Sequence, residues 1–401
     1  MAELQQASRK ILHLDLDAFF CAVEEIRDPS LRGKPFAIGG NPDQRGVVAT
    51  CSYAARKFGI HSAMPMSRAI RLCPHLLIVR HHFKDYVEYS EQVMDLIASY
   101  SPLVQPISID EAFVDLSHLS EPAEHYARQL QVEISEQFSL PSSLGVATNK
   151  LVAKVATNVG KAANRTGSYP NAIQVVPPGE EGAFLAPLPT DALWGVGPKT
   201  AEILAELGIH TIGDIAVYPL RELERHFGQI GGDLHRRAQG IDNSYVHVSH
   251  ETKSISHEET FARDVNDEKH LRSVIHQQAQ AIGRRLHKLE LYGSTVKVKL
   301  RWPDFTTISR QKTLPKPSDD PMQIEMLALE IFTKNWKVGR KIRLLGVGVS
   351  NLGPPSQQLL LWDWNPKDAA KQERLQNAIE TLQARYGRSA LSQANQLKES
   401  K

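Results

Sequence analysis

The sequence predicts an α+β fold in which several modules follow one another along the chain. Three observations support this prediction. A length of 401 residues is enough for about two to four modules. Segments with strand-like and helix-like patterns are mixed through residues 11–176. Residues 253–352 then follow the order βαββαβ, which is a split-βαβ arrangement.

The first part of the chain mixes strands and helices around a turn-rich segment. Apolar periodicity predicts strands at 11–16, 36–38, 47–50, 107–117, 143–146 and 171–176. Helical periodicity predicts helices that begin at 18 and 53, and helices over 84–100, 122–138 and 149–161. Residues 19–83 are therefore expected to be an insertion between the first strand and the rest of its sheet.

The second half of the chain is divided by turn residues. The segment PPGEEGAFLAPLP at 177–189 marks a boundary, because proline and glycine interrupt both helices and strands. Beyond it, two helix–glycine–helix patterns predict a helical module over 177–241. A linker at 242–252 precedes the split-βαβ unit, and residues 353–401 are expected to form a polar, partly helical tail.

The composition is typical of a water-soluble protein of the cytoplasm. Hydrophobic residues make up 41% and charged residues 23% of the chain. Cys21, Cys51 and Cys73 have no CxxC spacing, which argues against a zinc site or a disulfide framework and favours a reducing compartment. The polar N-terminus and the lack of a long apolar run predict neither a signal peptide nor a membrane span.

The charge is unevenly distributed along the chain. The whole chain carries +2, but residues 252–351 contain 18 Lys and Arg against 11 Asp and Glu, a net +7 that leaves −5 for the remainder. A basic module on a slightly acidic body is typical of a protein that binds nucleic acid. A basic surface that contacts only solvent would give the same count, so the charge alone leaves both interpretations open.

Two adjacent carboxylates interrupt an apolar strand in the stretch ISIDEAFVDLS, residues 107–117. Asp110 and Glu111 would repel each other and lose hydration there unless a cation is present. Asp15 and Asp17, two residues apart, share one face of the first strand. If the two strands are neighbours, three or four carboxylates meet, and such hard oxygen ligands suit Mg²⁺ or Mn²⁺. For Asp17, a role as the N-cap of the following helix is an equally good interpretation.

Two further stretches have the chemistry of phosphate binding. The first places hydroxyls and cations near a short helix start, at Thr50, Tyr53, Arg56 and Lys57. This arrangement suits a polyphosphate, although cations on a helix are usually only solvated. The second, GVGPKTAE at 195–202, is similar to the hairpin of a helix-hairpin-helix, whose backbone amides bind DNA phosphates. A plain turn between packed helices is the alternative.

These motifs together indicate a family. The stretches LDLDAFFCAVEE, GVVATCSYAARKFGI, SIDEAFVDL and GVATNKLVAKVATNVGK, followed by the glycine hairpin, resemble the Y-family DNA polymerases, and within them the bacterial DNA polymerase IV branch. The resemblance covers residues 9–352 and implies a multidomain right-hand polymerase. The implied ranges are 1–18 and 84–176 for the palm, 19–83 for the fingers, 177–241 for the helix-hairpin-helix thumb and 253–352 for the basic little finger.

The resemblance also implies roles for individual residues. Asp15, Asp110 and Glu111 match the catalytic, metal-binding carboxylates, with the Leu16 carbonyl as a further ligand. Phe20 matches the aromatic residue that excludes the ribose 2′-hydroxyl. The triphosphate would be bound by Thr50, Tyr53, Arg56 and Lys161 with the amides of Ala18 and Phe19, and the DNA by Gly195, Gly197 and Lys199. The family usually follows its lysine with Pro-Asn-Gly, whereas this chain has KAANRTG from Lys161 onward.

The implied activity is template-directed DNA synthesis that tolerates damaged templates. Two Mg²⁺ ions, with Mn²⁺ as an alternative, would activate the primer 3′-hydroxyl and neutralise the triphosphate of the incoming deoxynucleotide. The small side chains of Val47 and Ala63 are compatible with a loose site over the nascent base pair, and no second carboxylate set suggests a proofreading exonuclease. The expected enzyme is error-prone and monomeric, with primer–template DNA as its partner.

Other classes of protein fit the motifs less well. A palm-fold nucleotide cyclase or a DxD phosphatase also groups carboxylates after a strand. The phosphatase pattern requires Thr or Val soon after its second Asp, where this chain has Ala18-Phe19-Phe20. Neither class accounts for the glycine hairpin or for the basic third unit. A non-catalytic scaffold would be expected to have lost a metal-binding carboxylate, and none is missing.

The tail contains a cluster of bulky apolar residues in the segment GPPSQQLLLWDWN, residues 353–365. Apolar residues exposed on a tail normally mark a docking site. The apolar residues are Leu359, Leu360, Leu361 and Trp362, and together with the preceding Gln358 they form the motif. They resemble the peptide that binds the bacterial sliding clamp. Folding back on the third unit, as a strand or a helix cap, is the alternative.

Overall fold

The computed structural model describes residues 9–164, 168–248, 251–354 and residue 381. The chain divides into two compact units. The first comprises Met1–Glu251 with Phe261–Arg263, and the second comprises Thr252–Thr260 with Asp264–Lys401. Both units combine helices with sheets, as the sequence predicts. Within the described ranges, none of the helices has the length and apolar character needed to cross a bilayer.

The first unit contains most of the predicted elements, with bounds that differ by a few residues. Its strands are β1 (Ile11–Leu16), β2 (Phe36–Gly39), β3 (Val48–Cys51), β4 (Leu77–Val79), β5 (Val104–Pro106), β6 (Glu111–Asp115), β7 (Ser142–Ala147) and β8 (Ile173–Val175). Its α-helices are α1 (Phe19–Arg27), α2 (Tyr53–Arg56), α3 (Met66–Leu72), α4 (Phe83–Tyr100), α5 (Ala123–Phe138), α6 (Lys150–Ala163), α7 (Glu181–Leu185), α8 (Pro198–Glu206), α9 (Ile212–Val217), α10 (Leu220–Phe227) and α11 (Gln229–Ala238). Short 3₁₀ helices lie at Pro29–Leu31, Pro42–Gln44 and Thr190–Ala192.

A five-stranded sheet in the order β5-β6-β1-β7-β8 is the centre of the first unit. The central strand β1 is antiparallel to both of its neighbours. Because successive side chains of a strand point to opposite faces, Leu12, Leu14 and Leu16 pack into one core with α1, α4 and α5. Ile11 packs into a second core with α6 and the helices from α7 to α11. This second side of the sheet is the side on which polar residues of β1 meet α6.

Gly145 of β7 allows α6 to lie close to the central sheet. A Cβ atom at this position would clash with the Ala153 carbonyl oxygen and would lie 2.6 Å from the Thr157 nitrogen. The apolar side of α6, including Val152 and Val155, is buried in the second core. The position of α6 relative to β1 therefore depends on the absence of a side chain at Gly145.

A smaller sheet in the order β3-β2-β4 lies within residues 19–83, the predicted insertion. Its apolar residues form a core of their own that includes Ala37, Val48 and Met66. The strands at 36–38 and 47–50 are confirmed, whereas β4 and α3 have no counterpart in the sequence prediction. Helix α1 also belongs to residues 19–83, but it packs on the central sheet. The bounds of a separate fingers domain stay a prediction.

The helices from α7 to α11 form the predicted helical module. Before the glycine hairpin the chain forms a 3₁₀ turn, Thr190–Ala192, and α8 follows the hairpin. The first half of the predicted linker packs on the first unit. Asp242 Oδ2 accepts a hydrogen bond from the Leu151 N–H at 3.1 Å, and Lys150 Nζ donates to the Tyr245 carbonyl at 2.6 Å. The linker is therefore anchored at its start.

The second unit confirms the predicted βαββαβ order. Its elements are β9 (Ser254–Val265), α12 (Glu268–Lys288), β10 (Tyr292–Arg301), β11 (Thr307–Ser318), α13 (Pro321–Asn335) and β12 (Ile342–Gly353). The sheet order is β11-β10-β12-β9, and all neighbouring strands are antiparallel. The parallel strands β9 and β10 are thus separated by β12, and β11 and β12 are separated by β10. Each βαβ connection is split by one strand, as the sequence predicts.

Candidate active site

The two predicted carboxylate segments are neighbours in the central sheet. β1 pairs with β6 in antiparallel orientation, and Asp15 lies directly opposite Glu111. The Leu16 N–H donates to the Asp110 carbonyl at 2.9 Å, which fixes Asp110 beside the end of β1. The prediction that the strands carrying these residues are adjacent is confirmed.

Asp110 lies in the turn between β5 and β6 and not inside a strand. The Ile107 N–H donates to the Glu111 carbonyl at 2.9 Å and closes this turn. The Ser108 hydroxyl donates to Asp110 Oδ1 at 2.6 Å. The predicted continuous strand over 107–117 is therefore wrong at its start. The turn leaves Asp110 partly exposed, so the chain does not have to bury two adjacent carboxylates in one strand.

Each sheet carboxylate is paired with a lysine of α6. Lys161 Nζ lies 2.5 Å from Asp15 Oδ1 and 3.1 Å from Asp17 Oδ1. Lys154 Nζ lies 2.5 Å from Glu111 Oε2. The two lysines are seven residues apart, about two helical turns, so they extend from the same face of α6. A row of positive charge on the helix therefore lies along a row of negative charge on the sheet.

The ionisation of the two carboxylates reflects their surroundings. Burial, together with the charges of Glu111 and Asp110, raises the pKa of Asp15 to about 7, although Lys161 opposes this change. Burial acts on Glu111 as well, but its interactions with His13 and Lys154 outweigh burial and lower the pKa of Glu111 to about 2. Glu111 is thus held ionised by its own partners, whereas Asp15 requires further positive charge.

The donor atoms of the site fit a hard divalent cation. Asp15, Asp110 and Glu111 supply carboxylate oxygens, which Mg²⁺ and Mn²⁺ prefer. The two sheet carboxylates each bind an ammonium group at 2.5 Å, so positive charge is stable at these oxygens. Within the described residues, however, no three Asp, Glu, His or Cys side chains are grouped closely enough to hold a metal ion. The predicted convergence is incomplete, because lysines bind Asp15 and Glu111 while Ser108 binds Asp110.

His13 is a further residue of the site that the sequence analysis missed. Its side chain is fully buried, and Nδ1 lies 2.8 Å from the Thr157 hydroxyl. Nε2 lies 3.8 Å from Glu111 Oε2 and has no hydrogen-bond partner among the described residues. Burial lowers the pKa of His13 to about 4, so the ring is neutral at neutral pH. The only signal in the sequence is its position two residues before Asp15, on the same face of β1.

Asp17 is not the N-cap of α1. The cap position is held by Ala18, which is in the left-handed conformation with φ 44°. The Asp17 side chain is fully buried instead. Its Oδ2 accepts hydrogen bonds from the Ser143 hydroxyl at 2.8 Å and from the Asn171 N–H at 3.1 Å. Together with Lys161, these bonds attach the end of β1 to β7 and to the chain that enters β8, so the helix-cap interpretation is wrong.

The start of α1 has the features of an anion site. In the described part of the chain no side chain caps this helix, so the N–H groups of the turn that begins at Phe19 lack a side-chain acceptor. The left-handed conformation of Ala18 costs about 1–2 kcal/mol for a residue with a Cβ atom. Such strain is typical of functional sites. These are the amides predicted to bind the triphosphate.

The other predicted triphosphate-binding residues lie around Tyr53, the first residue of α2. The Arg56 guanidinium lies 4.5 Å from the centroid of the Tyr53 ring, a cation–π contact. Burial raises the pKa of Tyr53, and the charges of Asp17 and Lys161 also act on it, which places Tyr53 close to the carboxylates. Thr50 lies in β3, three residues before Tyr53. A cavity of about 590 Å³ is lined by Tyr53 and by basic residues that include Lys57.

Phe20 is held in a fixed orientation near the start of α1. Its ring stacks on Tyr86, with centroids 4.3 Å apart and planes inclined by 11°. The Tyr86 hydroxyl donates to Glu24 Oε1 at 2.5 Å, and Phe83 contacts Phe20 edge-on at 6.5 Å. Phe20 is partly exposed, whereas Phe19 is buried. Of these two rings, Phe20 is the one that a ligand can reach.

The glycine hairpin leads into α8. Gly195 has φ 101°, a conformation that favours glycine. Gly197 has φ −89°, and a Cβ atom there would meet nothing within 4 Å. The packing of the described chain therefore does not require glycine at 197. Lys199 is exposed in the first turn of α8. A bare backbone beside an exposed lysine suits the close approach of a DNA phosphate.

In the second unit, β10 carries cations at alternate positions. Lys297, Lys299 and Arg301 alternate with buried apolar residues that face the core. Lys299 Nζ lies 2.8 Å from Glu258 Oε2 on β9, across Gly346 of β12, which has no side chain to separate them. These three residues, called the β10 row below, account for part of the positive charge of this unit.

One predicted site lies outside the described residues. It is the clamp-binding segment with Gln358, Leu359, Leu361 and Trp362.

Models of known families match the same parts of the chain. The model described as impB/mucB/samB family matches residues 14–158, and the model of the C-terminal domain of that family matches residues 252–361. A model described as DNA polymerase-iota, thumb domain, matches residues 191–242. The matched ranges contain the sheet carboxylates, the β10 row and the glycine hairpin.

Individual proteins are similar over most of their length. DNA polymerase IV of Listeria monocytogenes serotype 4b is 40% identical over 350 residues, which are 86% of this chain and 96% of that protein. A solved Y-family DNA polymerase chimera of Dbh and Dpo4 has a TM-score of 0.76 and 27% identity, over 86% of this chain and 99% of that one. An insertion ternary complex of Dbh DNA polymerase has a TM-score of 0.62 and 27% identity, with the same coverage of 86% and 99%. This chain therefore belongs to the Y-family DNA polymerases, in the DNA polymerase IV branch.

Proposed function

We infer that this chain is a DNA-directed DNA polymerase that extends a primer on a DNA template and copies damaged templates. The observation that carries this conclusion is the Asp15–Glu111 pair at the centre of the sheet, in a chain that belongs to the DNA polymerase IV branch. The similar insertion ternary complex of Dbh DNA polymerase supports DNA and nucleotide as joint ligands. Enzymes of this family depend on divalent metal ions.

The carboxylates and the Leu16 carbonyl are assigned to two Mg²⁺ ions, with Mn²⁺ as an alternative. The metal would supply Lewis-acid chemistry, which activates the primer 3′-hydroxyl and neutralises the charge of the leaving pyrophosphate. Asp15, Asp110 and Glu111 provide its oxygen ligands. His13 lies beside Glu111, with Nε2 of its buried ring 3.8 Å from Glu111 Oε2.

The fingers residues and α6 are assigned to the incoming nucleotide. Tyr53 and Arg56, which already contact each other, bind and orient the triphosphate, with Thr50 beside them. Lys161 adds positive charge from α6, and the uncapped start of α1 supplies the amides of Ala18 and Phe19. Phe20 lies against the sugar. Its ring is supported from behind by Tyr86, so it excludes a 2′-hydroxyl by contact.

DNA binding is assigned to two separate surfaces. The hairpin residues Gly195, Gly197 and Lys199 bind backbone phosphates in the first unit. The β10 row binds the duplex in the second unit. Contacts of this kind read no bases, so the enzyme would bind primer–template DNA irrespective of sequence.

Two features would allow damaged templates to be copied: the small side chains of Val47 and Ala63, and the exposure of Val47 to solvent. Val47 is 51% exposed. The Ala63 N–H donates to the Val48 carbonyl at 2.8 Å, so Ala63 lies close to Val47. These are the two residues predicted to lie over the nascent base pair. Primer extension on matched intact and damaged templates tests the function. We expect extension past the lesion, with frequent misincorporation and no removal of mismatched primer ends. Arrest at every lesion, or excision of mismatched ends, would contradict it.

We also propose that the tail segment Gln358–Trp362 binds the sliding clamp. The support is the order of a glutamine, leucines and an aromatic residue in the sequence. Replacing Gln358, Leu361 and Trp362 with alanine should remove clamp stimulation of synthesis and leave clamp-free synthesis and thermal stability unchanged. Earlier melting with persistent clamp stimulation would show that the segment is part of a folded core.

We further propose that the enzyme acts as a monomer in the cytoplasm. The three cysteines are free and buried, which suits a reducing compartment. Sedimentation of the full chain, with and without primer–template DNA, tests the oligomeric state.

A further inference from the structure

Lys154 lies between the Glu111 carboxylate and the residue that precedes the glycine hairpin. Its ammonium is 2.5 Å from Glu111 Oε2 and 5.7 Å from the centroid of the Trp194 ring. The Trp194 ring in turn packs against Phe113 of β6 at 5.6 Å. Gly195 follows Trp194 directly. The roles assigned above use Lys161 of α6, but they leave Lys154 without a function.

A divalent cation and the Lys154 ammonium would compete for the same oxygen atom. Glu111 Oε2 binds Lys154 in this structure, and Glu111 is assigned as a metal ligand. Two cations beside one carboxylate repel each other strongly in a site that is partly removed from water. Lysine carries its charge on a flexible four-carbon stem, so the ammonium can leave Glu111 without displacement of α6.

Lys154 differs from Lys161 in whether it keeps a carboxylate partner when the metal binds. Lys161 pairs with two carboxylates, and the second of these, Asp17, is fully buried and is not needed for the metal. For Lys154, Glu111 is the one carboxylate within ion-pair distance in the described part of the chain. On release, Lys154 therefore remains beside Trp194 and the hairpin, where bound DNA would provide the nearest anion.

We propose that Lys154 is a DNA-binding residue that exchanges Glu111 for a backbone phosphate when a divalent cation binds. The inference rests on the proposed roles of Glu111 and of the hairpin. Without metal, Lys154 neutralises Glu111 and contributes little to DNA affinity. With metal, Lys154 becomes available to the DNA. Metal and DNA then strengthen each other's binding by the same factor, as linkage between two sites requires.

The test measures DNA affinity in the absence of nucleotide, so that no turnover occurs. The full chain is titrated into a fluorescently labelled primer–template at constant ionic strength, once with EDTA and once with Mg²⁺. For the unaltered chain we expect tighter binding with Mg²⁺, by about fivefold or more. Lys154→Met, which keeps most of the apolar stem, should match the unaltered chain in EDTA and lose the gain with Mg²⁺.

A second variant, Glu111→Gln, should change DNA affinity in the opposite direction. The neutral amide holds Lys154 less strongly, so DNA binding in EDTA should become tighter than in the unaltered chain, with little further gain from Mg²⁺. Adding Lys154→Met to Glu111→Gln should cancel this tightening. Lys161→Met is the matched control, because it removes a lysine of the same helix that pairs with another metal ligand. It should retain the gain with Mg²⁺.

Three outcomes would overturn the proposal. Lys154→Met could weaken DNA binding equally in both buffers, which would make Lys154 an ordinary phosphate contact. It could leave both affinities unchanged, or Glu111→Gln could fail to tighten binding in EDTA. Thermal unfolding of each variant shows whether it is folded. If Lys154→Met is not folded, Lys154→Gln takes its place. Normal primer extension by Glu111→Gln would contradict the assigned role of Glu111, which is a separate failure from a missing change in DNA affinity.

Discussion

Strand β1 of the first unit and strand β10 of the second both place polar side chains at every second residue, but they differ in charge and in burial. The β1 row contains His13 and Asp15, which are buried or nearly so and which contact residues of α6. The β10 row consists of lysine and arginine, and Lys299 forms an ion pair of its own with Glu258. The same strand periodicity therefore produces two surfaces of opposite character.

The comparison shows how burial changes what a charge can do. In the β1 row each group has a specific partner, because an unpaired charge out of water is costly. Its members are thus fixed in position, which suits chemistry at a defined point. The β10 row lies at the surface, with Lys297 exposed and Lys299 and Arg301 partly exposed. Ion pairs at a surface contribute about 0–1 kcal/mol and are screened by salt. Such a row suits attraction to a phosphate backbone without fixed geometry.

The largest effect that this comparison predicts is the loss of synthesis on removal of a carboxylate. Asp110→Ala and Glu111→Ala should each lower primer extension by about a thousandfold, because transition-state stabilisation held by the metal is lost. Primer–template affinity in Mg²⁺ should remain within a few-fold of the unaltered value. Single-turnover extension and equilibrium DNA binding measure the two quantities separately. Near-normal extension by either variant would contradict the metal-ligand assignment.

A smaller effect is expected when the packing of α6 on the central sheet, beside the β1 row, is disturbed. Gly145→Ala should destabilise the first unit by about 1–3 kcal/mol, because the added Cβ atom forces α6 away from the sheet. Extension by the folded fraction should fall as well, since Lys154 and Lys161 move with the helix. Denaturant unfolding and extension assays on the same preparation measure both.

Gly160→Ala is the control for this prediction. It lies on the same helix, and its Cβ atom would lie 3.1 Å from the Ala172 Cβ and 3.3 Å from the Gln174 Cβ. Within the described residues outside α6, no backbone atom would lie closer to it than 4.0 Å. Alanine is also favoured over glycine in a helix by about 1 kcal/mol. We therefore expect a smaller loss of stability than in Gly145→Ala. Equal losses in both variants would show that the close approach of α6 at Gly145 has no special role.

The sequence identifies the carboxylates because their local pattern is unusual. Asp110 and Glu111 beside apolar residues demand a cation, and the strand periodicity places Asp15 on one face. The sequence does not predict the turn at 107–110, because Ile107 and Ile109 alternate as they would in a strand, while the Ser108–Asp110 hydrogen bond belongs to a turn. Asp17 was open to a helix-cap interpretation, because an acidic residue before a helix usually caps it.

The partners of these carboxylates could not be predicted from local pattern. Lys154 and His13 both lie beside Glu111, which is 43 positions from Lys154 and 98 positions from His13 in the chain. A lysine on a helix is usually solvated, and a lone histidine on an apolar strand is usually a core residue. The packing of α6 on the sheet, which Gly145 allows, is what gives Lys154 its role.

Sugar selection provides a prediction of intermediate size. Phe20→Ala should raise ribonucleotide incorporation relative to deoxynucleotide incorporation by about 10- to 100-fold, the range expected for one steric contact in a binding pocket. Phe19→Ala is the matched control, because this neighbouring ring is buried in the core. It should lower stability by about 3–5 kcal/mol and leave sugar selection unchanged. The ratio of kcat/KM values for the two sugars measures the effect, and an unchanged ratio in Phe20→Ala would identify Phe20 as a core residue only.

The smallest effect per residue is expected in the β10 row. Replacing Lys297, Lys299 and Arg301 with alanine should weaken primer–template binding at all sequences alike. Each phosphate contact that is lost lowers the slope of log K against log salt concentration by about 0.9. Lys299 should contribute least, because Glu258 already pairs with it at 2.8 Å. Anisotropy titrations over a series of salt concentrations give the slope for each single variant and for the triple variant.

The contrast with the β1 row lies in the kind of change: here the salt slope falls while single-turnover extension at saturating DNA is retained. An unchanged slope in the triple variant would mean that the β10 row does not contact DNA, and a loss of extension at saturating DNA would mean that its cations support the chemistry and not only the binding.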